Sequence, residues 1–260
     1  MPSIQRNMLT PAEQLKANLA AGEIVVGVMA TDHVWPLLVE LCQHSGLDYL
    51  VVDREHGPHS DELVAQICQV ARLADFPVLM RTVSCEISEL RRAVDLGPCG
   101  VILPAVESTD QLDAARDALW MPPRGTRRPG GAGNHWMRDV NYETWRDEFE
   151  EHFMVVPQIE TEVGVANAGS IAKHPLTTAL GLGPYDLSAD LGCCWNPANS
   201  KLQGAITSIR EAACAADKKL WMHADDTLRD KVDTFLWIGE VSGLLRQHFS
   251  ELASRLKTPK

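Results

Sequence analysis

Short apolar runs recur along the chain, and each is followed by a stretch whose apolar residues fall at helical spacing. Ile24–Met29, Tyr49–Asp53, Pro77–Arg81, Val101–Pro104, Phe153–Glu160, Thr178–Gly183, Lys219–His223 and Phe235–Gly239 read as strands. They are nearly continuously apolar instead of alternating, as in a parallel sheet covered on both faces. Between them the spacing predicts helices over 35–44, 60–74, 86–96, 109–119, 163–172, 200–216 and a short one over 227–232, with a last helix over 244–256. A further helix precedes the first strand. Thr10 can cap it, Pro11 suits its first position, Glu13 completes a capping box and Gly22 ends it.

Eight strands, each followed by a helix, predict an α/β chain of the closed parallel kind, a (β/α)8 TIM barrel, as one domain over residues 1–260. An open doubly wound sheet would carry a glycine-rich turn after its first strand, and Met29-Ala30-Thr31-Asp32 is not one. The rhythm breaks only from Met121 to Glu151, a segment containing Pro122-Pro123-Arg124-Gly125-Thr126-Arg127-Arg128. A loop of that length inside a compact domain is usually functional.

Composition narrows the partners. A net charge of −11 argues against a nucleic-acid partner, whose phosphates need clustered lysine and arginine. No apolar run approaches the roughly 20 residues of a membrane span, and the first residues lack the apolar core of a secretory leader. The seven cysteines are odd in number and show no zinc spacing, which points to reduced thiols and a cytoplasmic setting.

Chemistry in such a barrel sits at the C-terminal ends of the strands. Strand two delivers Asp53, Arg54, Glu55 and His56; strand three Arg81; strand five Gln158 and Glu160; strand six Gly183, Pro184, Tyr185 and Asp186. Glu160 and Asp186 come from neighbouring strands and would repel unless protonated or bridged by a cation. One reading is a hard divalent metal site, the other a pair of ordinary strand-end carboxylates in local salt bridges. Arg81 either clamps a carboxylate or enolate oxygen or forms a rim ion pair with Asp53 or Glu55. His56, beside two carboxylates, suits proton transfer, though a loop histidine is more often simply solvated. Asp95 orients a catalytic histidine or is a helix-end surface acid.

Taken in order, LDYLVVDREHG (47–57), PVLMR (77–81), AVDLG (93–97), VILP (101–104), PQIE (157–160) and GPYDLS (183–188) resemble the HpcH/HpaI aldolase/citrate lyase family, in its metal-dependent pyruvate aldolase branch. The resemblance implies Glu160 and Asp186 as ligands of a divalent ion such as Mg²⁺, Mn²⁺ or Co²⁺. It implies Gln158 and Arg81 on the pyruvate unit, and His56 as acid/base assisted by Asp53 and Asp95. The backbone from Gly183 through Pro184 and Tyr185 to Asp186 would bind the pyruvate carboxylate, and Arg127 matches an arginine of the family's loop. It further implies a homohexamer whose last helix packs on a neighbouring subunit.

The expected reaction is reversible cleavage of a 4-hydroxy-2-oxo acid to pyruvate and an aldehyde through a stabilised enolate. No strand ends in the lysine that a Schiff-base mechanism needs. Alternatives are decarboxylation of oxaloacetate, an acyl-CoA lyase activity at the same site, or a barrel that binds an oxo acid without turnover. Three features depart from the family pattern: Arg54 replaces a small or apolar residue, where it pairs with Glu55 or reaches toward an acidic aldehyde; Arg128 replaces a glycine; and the helix between strands seven and eight is shortened around Asp226 to Asp233.

Overall fold

Eight parallel strands close into a barrel in the order β1 to β8, each pairing with its neighbours in sequence and β8 returning to β1. The computed structural model describes residues 10–128, 143, 146 and 150–257. The strands are β1 (Val25–Ala30), β2 (Tyr49–Asp53), β3 (Val78–Arg81), β4 (Gly100–Leu103), β5 (Met154–Ile159), β6 (Ala179–Leu182), β7 (Lys219–His223) and β8 (Phe235–Glu240). Helix α1 (Thr10–Ala21) precedes β1, and α2 (Leu38–His44), α3 (Asp61–Leu73), α4 (Ile87–Asp95) and α5 (Thr109–Leu119) follow the first four strands. Then come α6 (Glu162–Lys173), α7 (Pro184–Asp190), α8 (Ser200–Ala215) and α9 (Val241–Lys257).

Local chemistry sets the helix starts. Ser60 Oγ accepts from Leu63 N, Ser108 and Gln111 form a reciprocal capping box, and Thr161 Oγ1 accepts from Gly164 N. The apolar strands and inner helix faces then merge into one buried core. Burying each of its leucine, valine and isoleucine side chains contributes roughly 1.5–3 kcal/mol against chain entropy.

The barrel interior is plugged below the rim by Tyr49. Its hydroxyl donates to the Leu236 carbonyl (2.6 Å) and accepts from Trp221 Nε1 (2.9 Å). Because β2 is not adjacent to β7 or β8 in the closed sheet, these bonds must run across the interior. Room for the ring exists because Gly27 faces it; a Cβ there would collide with the Tyr49 ring. Strand side chains alternate between faces, so Asp53, four residues beyond Tyr49, points to the same interior one level nearer the rim.

Two predicted elements differ. Residues 227–232 form turns, not a helix. Their backbone is held by side chains instead: Asp225 Oδ1 accepts from Thr227 N (2.7 Å), Asp233 Oδ2 accepts from Asp230 N (2.6 Å), and Arg210 grips Asp233 and the Leu228 carbonyl. Conversely, α7 is a helix that the apolar spacing does not predict, although Pro184 at its start is a helix-start signal. The ends of strands shift by a residue or so, β4 stopping before Pro104. Among the described residues no helix is long and apolar enough to cross a membrane.

Candidate active site

Strands β2 and β3 place Asp53 and Arg81 in register as neighbours. Arg81 donates Nε to Asp53 Oδ1 (2.9 Å) and Nη2 to Asp53 Oδ2 (2.7 Å), and Thr31 Oγ1 donates to Asp53 Oδ2 (2.9 Å). Burial alone would raise the Asp53 carboxyl, but the Arg81 fork and Thr31 override it and hold it below the usual carboxylate range. Arg81 also lies 3.2 Å from Glu55 Oε2. The Glu55 carboxyl is pushed up by its own burial, with the Asp53 and Asp186 charges adding to the rise. His56 is largely exposed at the rim, its Nε2 3.9 Å from Glu55 Oε2.

The opposite arc comes from β5 and β6. Glu160 follows β5 directly and is 5% exposed. Its Oε2 accepts from Ala105 N (2.8 Å), while Oε1 is buried without a hydrogen-bond partner, as is Gln158 Oε1. Burial pushes the Glu160 carboxyl up to about 7, against the Ala105 bond and with the charges of Glu55 and Asp186. Gly183 leaves these groups room. A Cβ there would collide with Glu160 Oε1 and come within 2.7 Å of Gln158 Nε2. Asp186 stands in the first turn of α7.

Between the arcs lies a cavity of about 400 Å³ that His56, Arg81, Gln158, Gly183, Pro184, Tyr185 and Asp186 help to line. The structure therefore brings together most of the residues singled out in the sequence. It also adds a wall that the sequence did not single out: Met29, Trp195, His223, Trp237 and Glu240. His223 and Glu240 end β7 and β8, so the strand-end rule that found Arg81 also points to them. Trp195, in the loop after α7, carries no such signal; it stacks on Tyr185 with ring centroids 4.5 Å apart.

Other candidates are not brought to the cavity within this chain. Asp95 ends α4, which runs antiparallel to the strands, so it lies at the barrel's opposite end, where it accepts from Arg127 Nη2 (3.2 Å). Neither Asp95 nor Arg127 reaches His56. Nor does the Asp53 carboxylate orient the His56 ring; its oxygens are taken by Arg81 and Thr31, and His56 approaches it only through its backbone N (3.5 Å). Arg54 bonds Asp61 (2.6 Å), not Glu55, because Asp61 opens α3 directly beneath it and is shared with Arg92. The segment 121–151, read from its length as functional, lies largely outside the described residues. Its described ends sit beside α1 and the start of β5, where buried Glu150 accepts from Met121 N (2.8 Å).

Among the described residues no group of three or more histidine, cysteine or acidic side chains converges as a metal cluster. The donor set that does fit a cation is smaller. It comprises the partnerless Glu160 Oε1 and the Asp186 carboxylate that raises its pKa, beside the cavity that Gly183 and Asp186 line, where water or substrate oxygens fit. Two carboxylates with open positions suit a hard divalent ion that keeps several water or substrate ligands.

Parallel barrel and polar rim together define a chain of the (β/α)8 class whose charged side chains gather around one cavity at the strand C-termini. The chain belongs to the HpcH/HpaI aldolase/citrate lyase family, whose model matches residues 31–240. It is 29% identical over 95% of its length to a hydroxypyruvate/pyruvate aldolase of Pseudomonas aeruginosa, covering 94% of that protein. It is 30% identical to a 4-hydroxy-2-oxovalerate aldolase of Rhodococcus jostii, over 81% of each chain. Among solved structures it resembles an HpcH/HpaI aldolase from Desulfitobacterium hafniense with a TM-score of 0.84 and 27% identity, over 94% of this chain and 97% of that one.

Proposed function

We propose that this protein is a divalent-metal-dependent aldolase that reversibly cleaves a 4-hydroxy-2-oxo acid into pyruvate and an aldehyde. The observation that carries the reading is Glu160 Oε1, a buried carboxylate oxygen without a partner, electrostatically coupled to Asp186 beside a cavity that Arg81 also lines. A buried unpaired carboxylate is costly, and a cation is the partner that its surroundings suit. The names of the two relatives above, a pyruvate aldolase and a 4-hydroxy-2-oxo acid aldolase, support the same reaction.

Glu160 and Asp186 would hold the ion, be it Mg²⁺, Mn²⁺ or Co²⁺. When bound it supplies Lewis-acid stabilisation to the oxo and carboxylate oxygens of pyruvate. The chain's own groups do the rest. Arg81, fixed by Asp53, presents its charge where the enolate oxygen develops. Gln158 and the backbone from Gly183 to Asp186 position the pyruvate carboxylate. In cleavage, His56 takes the proton of the C4 hydroxyl as the C3–C4 bond breaks; the electron pair passes into the enolate and the aldehyde leaves. Protonation of C3 then yields the methyl group of pyruvate. In synthesis each step runs backwards.

The same protein is proposed to be a homo-oligomer, as a family hexamer would be. Of α9 only Val241 is buried, while Leu245, Phe249 and Leu256 stand exposed, an apolar face suited to a neighbouring copy. All seven cysteines are free thiols, which fits a reducing compartment.

Exchange of pyruvate methyl protons with deuterated water, followed by proton NMR, tests the enolate step without needing the aldehyde. Exchange that requires a divalent ion supports the reading, and exchange equally fast with excess chelator overturns it.

A further inference from the structure

We infer that the electrophile paired with pyruvate here is an uncharged hydroxyaldehyde, selected against aldehydes that carry a second acid group by the wall formed by Tyr185, Trp195, His223, Trp237 and Glu240. The inference rests on the enolate chemistry proposed above and concerns the half of the cavity that chemistry leaves open.

That wall is aromatic and acidic. Tyr185 and Trp195 stack with an interplanar angle of 24° on the cavity lining. Trp237 stacks on Trp221 and meets the edge of His223 with centroids 4.5 Å apart. Aromatic faces carry the negative end of the ring quadrupole, so they favour C–H groups and cations over carboxylates. Glu240 adds a negative charge at the end of β8, on the same cavity as Asp186. Among the described residues lining this cavity, Arg81 is the sole lysine or arginine, and Asp53 and Glu55 already engage it. Among the described residues, an incoming second carboxylate would thus meet Glu240 and aromatic faces with no free lysine or arginine in the lining to receive it, a like-charge arrangement that disfavours such a ligand.

Hydroxyl groups, in contrast, find partners. Glu240 accepts hydrogen bonds. Burial lowers the His223 pKa, so its neutral imidazole both donates and accepts. A site that bonds a substrate hydroxyl discriminates strongly against an analogue lacking it. The adjoining cleft shares His223, Trp237 and Glu240 and does contain Arg246, but Asp32 lines it as well, so it offers no net positive charge.

The test compares kcat/KM for addition of pyruvate to glyceraldehyde and to succinic semialdehyde, with Mn²⁺ present. Wild type is expected to favour glyceraldehyde by about tenfold or more, the scale of one charged or hydrogen-bonded contact. Glu240→Gln is expected to narrow that ratio by raising the rate with the acid aldehyde. Trp195→Ala is expected to raise KM for glyceraldehyde severalfold. Equal or reversed preference in wild type overturns the inference, as does a ratio unmoved in Glu240→Gln. Pyruvate methyl exchange in the same wild-type sample separates the two levels. Exchange with an acid preference sinks only the hydroxyaldehyde assignment, while absence of exchange sinks the enolate reading and this inference with it.

Discussion

Asp53 and Arg81 occupy paired positions on β2 and β3 and meet through two parallel hydrogen bonds of 2.9 and 2.7 Å. Strand register therefore aims the guanidinium before any substrate arrives. The carboxylate is fully buried and the arginine side chain only 8% exposed, so the pair is held rigidly and screened little by solvent.

Asp53→Asn leaves a buried guanidinium facing a neutral amide that offers one acceptor oxygen. Loss of about 3 kcal/mol of stability is expected, the scale of breaking a buried ion pair from one side. Denaturant unfolding at pH 7 measures it. Asp53 also gives the wild type an acid limit. Its folded pKa lies below the ordinary value, so its stabilisation is complete above about pH 4 and is lost as pH falls through the folded value. The Asn variant lacks that component of acid unfolding.

Arg81→Lys keeps the charge but cannot reproduce a two-point fork. Turnover is expected to fall about a hundredfold with KM changed far less, because the lost contact acts on charge that develops only in the transition state. Steady-state pyruvate production reads this directly. A rise in KM with kcat intact would assign Arg81 to ground-state binding.

Gly183→Ala puts a methyl group where Glu160 Oε1 and the Gln158 amide now lie. Either Glu160 or the start of α7 must shift, and the expected result is at least a tenfold loss of divalent-cation affinity by titration calorimetry. Thermal unfolding of the metal-free protein should change little by comparison, since the displaced carboxylate is itself poorly accommodated.

The barrel was legible because its signal repeats. Eight apolar runs alternate with helices, most of them buried on both faces as Leu50–Val52 and Val101–Leu103 are, and the closed parallel order follows from that alternation. Arg81, Gln158, Glu160 and Asp186 were legible for the same reason, as polar groups at the ends of apolar strands or just beyond them. His223 and Glu240 obey that rule equally, but their strands carry weaker apolar patterns and they belong to no motif. Trp195 could not be read at all, since its place depends on stacking against Tyr185 across a helix. Asp95 differs: its motif position makes it a partner for His56, whereas within this chain the direction of α4 carries it to the far end of the barrel and to Arg127. The helix expected over 227–232 failed because Asp225 and Asp233 bond the local backbone more effectively than a helical ladder would.

Glu160 makes the metal-free protein sensitive to neutral pH. Burial raises its carboxyl from 4.5 to about 7, so between those values the folded state holds a proton that the unfolded state has released. Stability should therefore fall as pH rises from about 4.5 to about 7 and then level off, by on the order of 3 kcal/mol. Glu160→Gln should remove this slope. Saturating Mn²⁺ should reverse it in wild type, because cation binding requires the deprotonated carboxylate. Melting temperatures across pH 4.5–8 with and without the ion check both signs.

The most direct test is pyruvate release from a 4-hydroxy-2-oxo acid, assayed in wild type with Mn²⁺, in wild type with excess chelator, and in Glu160→Ala and Asp186→Ala with Mn²⁺. The expected result is turnover in the first sample alone, the others falling at least about a hundredfold. Full turnover in chelator, or in either folded variant, would contradict a cation held between Glu160 and Asp186.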